Sequence, residues 1–318
     1  MFIRFVARRI LLGIVTLLLV SVLVFWATQY LPGDAAQAVL GRSASAERLE
    51  ALRQQLNLDA PISVQYWRWL SGVFAGDPGL SLANQKPILP QITPRLMRSL
   101  VLLASTAALA IPLAVLAGLW AAFRQGGRAD SSLTVTALVL AALPEFVVAI
   151  ALIAMFSTTV FQWLPPVSMV PPGRAIFDRP IILVLPVMTL TIIVFPYIFR
   201  MVRAATIEVL RSEYMEAAQL RGLSTNRLMF VHALPNALGP AAQVVSLTLA
   251  YLAGGIVVVE YVYGFPGIGQ GLVNAVTSRD IPSIQFIVLL LAGVYVFTNL
   301  IADVITVLVT PRLRTSRA

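Results

Sequence analysis

The sequence predicts an all-α integral membrane protein with six membrane spans and both termini in the cytoplasm. Hydrophobic residues make up 58% of the 318 residues and charged residues only 12%, whereas soluble domains average about 45–50% and about 25%. Six apolar stretches have the length of roughly 20 helical residues that a bilayer core requires. The arginines are distributed unevenly among the segments that connect these stretches.

The six predicted spans follow one another along the chain. They cover residues 10–31, 99–123, 133–161, 181–201, 241–262 and 284–309. The first span follows three arginines, as a signal peptide would, but its apolar run exceeds the about 7–15 residues of a signal-peptide core. An uncleaved span is therefore predicted. In the second span, Ala110, Ala114 and Gly118 recur every four residues, and such a face is expected to approach another helix closely.

The distribution of arginines predicts the orientation. With the N-terminus in the cytoplasm, thirteen arginines lie on the inner side and three lie in the two short outer loops. Basic residues accumulate in cytoplasmic loops, so this count favours both termini inside. The net charge of +9 is then explained by topology, and the predicted partner is the lipid bilayer, not nucleic acid.

Four segments are predicted along the chain. They are an arginine-flanked segment with the first span (1–31), an ordered periplasmic segment (32–98), a five-span core (99–309) and a basic cytoplasmic tail (310–318). The core includes a cytoplasmic loop at 202–238. Amphipathic stretches at 46–56 and 64–74 indicate helices within the periplasmic segment.

The residue inventory argues against an enzyme. There is no cysteine and a single histidine, His232, so thiolate chemistry, cysteine-ligated metals and histidine-rich metal sites are excluded. The only lysine is Lys86, in the sequence Asn-Gln-Lys, so the chain has no phosphate-binding loop of the Walker type. No catalytic residue, metal or cofactor is predicted.

The cytoplasmic loop has the most specific pattern. Residues 207–220 predict a helix, and Gly222 is expected in a left-handed conformation at its end. Ser224 is suited to cap a second helix from about Thr225, and Pro235 is expected to end or kink that helix. Ala217 and Ala218 would give the first helix a small face, which suits close contact with a partner.

These residues resemble the EAA loop of ABC importer permeases. The motif comprises Glu216-Ala217-Ala218, three residues, Gly222, nine residues, and then His232-Ala233-Leu234-Pro235. Its one departure is His232, where the family has isoleucine. Further matches resemble the B-type permeases of dipeptide, oligopeptide and nickel importers over nearly the whole chain. They include Pro32-Gly33-Asp34, Leu58-Asp59-Ala60-Pro61 and Pro266-Gly267-Ile268-Gly269.

The resemblance implies the transmembrane domain of a type I importer in a bacterial or archaeal cytoplasmic membrane. It implies a second, non-identical permease, two ATPase subunits that hold ATP and Mg²⁺, and a periplasmic binding protein. The solute would be a peptide, nickel chelate, opine, glutathione or related molecule. By the same resemblance, ATPase coupling would fall to one set of residues. They are Glu216, Ala217, Ala218, Gly222, Leu234 and Pro235.

Ionisable and polar residues inside the spans are candidates for the translocation pathway, because charge within a membrane is costly. These candidates are Glu145, Glu260, Tyr295, Asn299 and Asp303. Glu145 stands where the family usually has a small residue, and it either faces the cavity and favours cationic solutes or pairs with an arginine. Glu260 contributes to gating or binding-protein contact, or is a solvated helix-end carboxylate. Asp303 continues a stripe through Asn299 and Tyr295, and it lines the pathway or makes a structural bond.

Rival functions remain at this point. A self-sufficient, ion-coupled secondary transporter would have inverted repeats and interrupted helices with midplane ion ligands, and no convincing repeat relates the two halves. An intramembrane enzyme would need a nucleophile and a base on facing helices, which the residue inventory does not favour. A structural scaffold is the third alternative.

Overall fold

The computed structural model describes residues 2–29, 60–170 and 176–309. In these residues the chain folds as α-helices and short helical turns, with no named strand. The predicted all-α class is therefore confirmed for this part of the chain. The predicted helix at 46–56 and the basic tail at 310–318 lie outside the described residues.

Eleven α-helices are found in the described ranges. They are α1 (Phe2–Gln29), α2 (Ile62–Phe74), α3 (Ile88–Phe123), α4 (Arg128–Ala142), α5 (Glu145–Ile153), α6 (Ile181–Leu210), α7 (Glu213–Leu220), α8 (Thr225–Arg227), α9 (Leu234–Val262), α10 (Ile268–Thr277) and α11 (Ile281–Val309). A π-helical turn at Ala154–Thr158 follows α5, and a second at Leu228–Ala233 joins α8 to α9.

The long helices coincide with the predicted apolar stretches. In the described residues, α1, α3, α6 and α11 are each long and apolar enough to cross a membrane. Helices α4 and α5 pass the same test as a pair, but they are bent by 104°. The predicted fifth stretch lies within α9.

The third apolar stretch, predicted as one span, is broken at Leu143 and Pro144. Leu143 is extended, with φ −83° and ψ 130°, which is the conformation that a following proline favours. Pro144 lacks the N–H that would continue the helical hydrogen bonds of α4. The chain therefore turns sharply, and α5 begins at Glu145 in a new direction.

The predicted periplasmic segment is partly helical in its described residues, 60–98. Helix α2 confirms the amphipathic prediction for 64–74. Helix α3 begins at Ile88 and continues to Phe123 without interruption. The final residues of the predicted periplasmic segment are therefore the first turns of an apolar helix, and the boundary at 98 does not separate two structural units.

One buried carboxylate joins the outer segment to the last helix. Asp280 directly precedes α11, and its side chain accepts hydrogen bonds from Ser81 Oγ (2.5 Å), the Leu82 N–H (2.9 Å) and Ser283 Oγ (2.7 Å). Because Ser81 and Leu82 lie almost 200 residues earlier, this aspartate connects the two ends of the described fold. Hydrogen bonds to an ionised acceptor are the stronger kind.

Helix α6 forms the centre of the bundle, and α3, α4, α5 and α9 pack around it. Its most apolar stretch is 67% buried, against 22% for each of α1, α3 and α11. The small-residue face predicted for α3 lies at this contact: Ala110, Ala114 and Gly118 are all buried. A Cβ atom built on Gly118 would lie 2.9 Å from both Phe199 O and Val202 Cβ. The backbones of α3 and α6 are therefore so close at Gly118 that a larger side chain at this position would require one of them to shift.

Replacing Gly118 by alanine should destabilise the protein. The added methyl group must displace the backbone of α6, and overpacking of this kind costs about 1–3 kcal/mol. The control is Gly293→Ala in α11, where an added Cβ would meet nothing within 4 Å and helix propensity should favour alanine by about 1 kcal/mol. Thermal denaturation of the purified complex would compare the two. Equal midpoints for both variants would contradict the close contact of α3 with α6.

Candidate functional site

The loop predicted at 202–238 begins within α6, which ends at Leu210. The sequence predicted one helix over 207–220, but this helix is interrupted at Arg211 and Ser212, between α6 and α7. Ser212 has an extended backbone, with φ −79° and ψ 147°, and its Oγ donates a hydrogen bond to Val209 O at 2.5 Å. Serine side chains compete in this way for backbone groups and favour helix boundaries over helix interiors. Helix α7 is therefore a separate element that can point away from α6.

The two alanines of the EAA-like motif face opposite ways. Ala218 packs with Met215 of α7 against Leu228 and Ala233 of the following π-helical turn. Ala217 is exposed, so the small face predicted for both alanines is divided between a buried side and a free side. Leu220, one turn beyond Ala217, is 83% exposed.

The free side of α7 is a defined stripe. Glu213, Ala217 and Leu220 have the i, i+4, i+7 spacing that places residues on one helix face, and all three are exposed. Glu216 is exposed next to this face. We call these four residues the α7 stripe. The stripe combines two carboxylates with one small and one large apolar side chain. On the other side of α7, Met215 and Ala218 pack into the fold.

Helix α7 ends at Leu220, and Gly222 has the left-handed conformation that was predicted for it. Gly222 has φ +73°, and its N–H donates to Gln219 O at 2.9 Å. Ser224 occupies the extended N-cap position of α8, and its carbonyl accepts the Leu228 N–H at 2.9 Å. The predicted capping bond from the Ser224 side chain is not present, so Ser224 contributes its backbone conformation only.

Pro235 does not end the second helix, which was one of the two alternatives predicted for it. Helical structure continues from Thr225 to Val262, and Pro235 lies at the start of α9. The π-helical turn before it has the wider i→i+5 hydrogen bond, from the Leu234 N–H to Met229 O. A widened turn accommodates a residue that has no N–H and a bulky ring. Leu234 is half-buried and Pro235 is exposed.

An ion pair with a buried carboxylate joins α4 to α6. The sequence analysis did not identify it. Arg203 of α6 binds Asp130 of α4 through two bonds, Nε to Oδ1 at 2.6 Å and Nη2 to Oδ2 at 2.7 Å. The Gly126 N–H donates to the same carboxylate at 3.1 Å. Asp130 is buried, so the pair fixes the loop between α3 and α4 to α6. The sequence did contain a signal for this pair: Asp130 is a lone acidic residue in an otherwise basic loop, and it lies in the first turn of α4.

Glu145 is the first residue of α5, directly after the bend. Tyr251 of α9 donates its Oη hydrogen to Glu145 Oε1 at 2.5 Å. The second carboxylate oxygen, Oε2, is buried and has no hydrogen-bond partner among the described residues. The ion pairs within the described ranges are Arg203 with Asp130 and Arg9 with Asp303. Pairing with an arginine was one of the two alternatives predicted for Glu145, and no such partner is found among the described residues.

Glu260 is fully buried, with 0% of its surface exposed. The N–H groups of Gly269 and Gln270 donate to Oε2 at 2.7 and 3.2 Å, and Ser99 Oγ donates to Oε1. Ser99 Oγ in turn accepts the Ile268 N–H at 2.8 Å. The alternative of a solvated helix-end carboxylate is thus wrong: Glu260 satisfies the first backbone N–H groups of α10, which would otherwise lack partners.

The stripe on α11 divides into free and paired residues. Tyr295 is exposed and Asn299 is half-buried. Asp303 binds Arg9 of α1, with Nη1 and Oδ2 3.0 Å apart, so the first and last helices are joined by charge. This pair agrees with the structural alternative for Asp303. No cluster of three or more metal-ligating side chains occurs in the described residues.

Comparisons with known proteins cover the full length. Residues 114–315 match the family described as binding-protein-dependent transport system inner membrane component, and residues 2–102 match its N-terminal membrane component. A probable peptide ABC transporter permease of Sinorhizobium fredii is 33% identical over 310 residues, 98% of this chain and 99% of that protein. Glutathione transport system permease proteins of Escherichia coli and Shigella flexneri are 34% identical over 311 residues, with the same coverage.

Loss of the Asp130–Arg203 pair should weaken the packing of α4 and its preceding loop against α6. Asp130→Ala leaves a half-buried guanidinium without its partner, and losing hydrogen bonds to a charged group costs about 1.5–3 kcal/mol. Arg203→Lys should cost less, because lysine keeps the charge but cannot form both bonds. The matched control is Arg200→Ala, which removes an exposed arginine one turn earlier in α6. Thermal denaturation is the measurement, and an Arg200→Ala effect as large as that of Asp130→Ala would contradict the assignment.

Proposed function

The chain belongs to the binding-protein-dependent transport system inner membrane component family, as a permease of an ABC importer of the dipeptide and oligopeptide type, and from this premise we propose how it works. It forms the translocation pathway together with a second, non-identical permease. Two ATPase subunits dock on its cytoplasmic side at the α7 stripe. A periplasmic binding protein delivers the solute from outside.

The exposed α7 stripe is the observation that carries the docking proposal. Leu220 is 83% exposed on a short helix outside the apolar spans, where a large aliphatic side chain gains free energy by entering a partner's groove. Ala217 beside it permits close approach of the partner. Glu213 and Glu216 add negative charge, which sets the orientation of docking more than its affinity.

The buried side of α7 gives the proposed coupling a physical route. Met215 and Ala218 rest on Leu228 and Ala233, and Phe123 at the end of α3 packs against the same cluster. Three long helices therefore meet this small core: α3 at Phe123, α6 at its last residues Val209 and Leu210, and α9 through the π-helical turn. Displacement of α7 by an ATPase would move the cytoplasmic ends of all three.

The proposed topology has six spans with both termini in the cytoplasm of a bacterium or archaeon. The excess of arginine on the inner side supports it. The helical character of every described apolar stretch also supports it. In this topology α7, the Asp130–Arg203 pair and the Arg9–Asp303 pair all lie on the cytoplasmic side, and the Glu260 contact lies on the outer side.

We assign the solute to peptides and related amine-bearing molecules. The names of the relatives, which concern peptide and glutathione transport, support this class. ATP and Mg²⁺ would be held by the ATPase subunits, since the only lysine of this chain is Lys86 and no Walker motif is present. Tyr295 and Asn299 are retained as candidates for the pathway wall, whereas Glu260 and Asp303 already have partners within the fold.

A charge on the α7 stripe should detach the ATPase. Leu220→Asp places a carboxylate where an apolar contact is proposed, and loss of a central contact of about 2 kcal/mol corresponds to about a 30-fold weaker association. The control is Gln219→Asp, which introduces the same charge at an exposed position about 100° around α7 from Leu220. Co-purification of the ATPases and solute-stimulated ATP hydrolysis would be measured. Retention of both by Leu220→Asp would refute docking at the stripe.

Gly222 should influence coupling through its conformation alone. An added Cβ would meet nothing within 4 Å, but the residue has φ +73°, which costs an alanine roughly 1–2 kcal/mol. Gly222→Ala should therefore lower solute-stimulated ATP hydrolysis about fivefold, as expected for a 1 kcal/mol shift. Gly222→Asn should retain more activity, because asparagine tolerates the left-handed region. Equal loss in both variants would indicate that space, not conformation, limits this position.

A further inference from the structure

A small pocket lies where the predicted periplasmic segment meets the last helix. Its walls are residues 81–84, the first turns of α3, helix α10 and the start of α11, and its volume is about 150 Å³. Ile92 lines it and is buried, whereas Ala83 and Ser278 line it and are exposed. The pocket therefore opens to the surface, and we call it the Arg95 pocket after the one arginine in its wall.

The guanidinium of Arg95 is placed in this wall by helix α10. A Cβ atom built on Gly271 would lie 3.1 Å from Arg95 Cδ, so the absent side chain of Gly271 makes room for the arginine stem. Arg95 Nη1 donates to Gly267 O at 3.4 Å, and Arg98 Nη1 donates to the adjacent carbonyl of Pro266 at 3.5 Å. Two guanidinium groups from successive turns of α3 therefore lie side by side, which favours an anion.

No carboxylate of the described residues neutralises this charge. The ion pairs found in those residues include neither Arg95 nor Arg98. Arg95 is half-buried, and its one hydrogen bond there is the long one to Gly267, although a guanidinium has five N–H donors. Asp280 also lines the pocket, but its carboxylate already accepts three hydrogen bonds within the fold. Arg95 thus retains donors that an incoming carboxylate can use.

The length of α3 places the Arg95 pocket outside the apolar core of the membrane. Arg95 precedes the cytoplasmic end of this helix at Phe123 by 28 residues, which correspond to about 42 Å of helix. The apolar core of a bilayer is about 30 Å thick, and the headgroup regions bring the total to about 40–45 Å. In the proposed topology the pocket therefore lies at the outer edge of the headgroups and faces the periplasm.

The size of the pocket indicates what kind of group it holds. Its volume of about 150 Å³ is half of the about 300 Å³ at which pockets for small-molecule ligands begin. A peptide solute does not fit in this space, whereas one side chain does. Small pockets that receive a single side chain are typical anchor points at the centre of protein–protein interfaces.

Exposed cations flank the pocket. Lys86 is exposed, and its carbonyl accepts a hydrogen bond at 3.3 Å from Gln91, which lines the pocket. Arg279 is also exposed and lies between Ser278 and Asp280, both of which line the pocket. Charges at the rim of an interface direct the approach of a partner of opposite sign, so this rim suits an acidic protein surface.

We propose that the Arg95 pocket is a docking site for the periplasmic binding protein and takes one of its aspartate or glutamate side chains. The carboxylate accepts hydrogen bonds from Arg95. Asn274 supplies a second donor, since it lines the pocket and its amide has no other hydrogen bond in the described residues. Lys86 and Arg279 attract the acidic surface around that side chain. The proposal rests on the importer function, and it names the contact through which this chain recognises its binding protein.

A titration of ATP hydrolysis tests the charge. The assembled importer in lipid nanodiscs would be titrated with the periplasmic binding protein that stimulates ATP hydrolysis by the wild type. Arg95→Met keeps a stem against Gly271 but removes the charge, and it should raise the half-maximal concentration at least about tenfold, as loss of one member of a desolvated charge pair does. The matched control is Arg68→Met, an exposed arginine of α2 away from the pocket, which should leave this concentration unchanged. Equal concentrations for Arg95→Met and the wild type would overturn the proposal.

A second pair of variants tests the pocket without removing a charge. Ala83→Trp places a large ring at an exposed position of the pocket wall, and it should raise the half-maximal concentration as Arg95→Met does. Thr277→Trp introduces the same ring at an exposed position of α10 that does not line the pocket, and it should have no effect. A normal titration with Ala83→Trp would show that nothing enters the pocket.

Charge reversal identifies the source of the carboxylate. Arg95→Glu should abolish stimulation, and replacing one aspartate or glutamate of the binding protein by arginine should restore it. If no acidic residue of the binding protein gives this rescue, the proposal is wrong. An effect of Arg95→Met that is seen with phosphatidylglycerol in the nanodisc, and disappears with phosphatidylcholine alone, would assign the site to a lipid phosphate and would also overturn it.

The same titrations separate the two levels of the argument. If no periplasmic binding protein stimulates ATP hydrolysis by the wild-type importer, the importer function is rejected and the docking site with it. Normal stimulation of the wild type, together with unchanged half-maximal concentrations in Arg95→Met and Ala83→Trp, would reject the docking site alone.

Discussion

The close contact between α3 and α6 at Gly118 is the constraint on which the rest of the structure depends. Inside a bilayer, apolar side chains gain little by leaving lipid for protein, so helix association relies on close packing and on hydrogen bonds. Gly118 lets α3 approach the backbone of α6 at Phe199 and Val202. Helix α6 is the most buried long helix in the described residues, and α4, α5 and α9 take their positions from it.

The contact between α3 and α6 also determines where α7 and the loop after α3 lie. Four residues after the Gly118 contact point Phe199, Arg203 of α6 binds Asp130, and so fixes the loop that follows α3. Further along the same helix, Val209 and Leu210 reach the small core beneath α7. The end of α3 reaches that core at Phe123. The α7 stripe is therefore presented by two helices whose separation Gly118 fixes.

The sequence predicted the elements whose causes are local. Apolar length predicted the helices, and the small-residue spacing predicted the buried face of α3. The left-handed conformation of Gly222 followed from its position after a helix. The errors also have local causes: Ser212 divides the helix predicted over 207–220, and a π-helical turn carries the chain through Pro235. A π-helical turn has no clear pattern of its own, because the same residues suit an α-helix.

Contacts between distant residues could not be predicted in the same way. Asp130 and Arg203 are 73 residues apart, and Ser99 and Glu260 are 161 apart. Each pair depends on how whole helices pack, which periodicity does not specify. A weak signal existed for Glu260, since the glycines at 267, 269 and 271 leave room for a carboxylate to approach backbone N–H groups. A side chain built on Gly267 or Gly269 would collide with Glu260.

The carboxylates of the long helices differ in how far packing completes their bonds. A buried charge is tolerated when its bonds are complete, and Glu260 obtains three bonds from groups in this fold. Asp130 and Asp303 each bind an arginine of another helix. Those bonds hold helices together, so a solute that competed for them would loosen the bundle. Glu145 differs, because it is bound by one neutral phenol and stands at the bend between α4 and α5. Packing therefore explains three of these four charges, and the fourth is held by a single bond to α9.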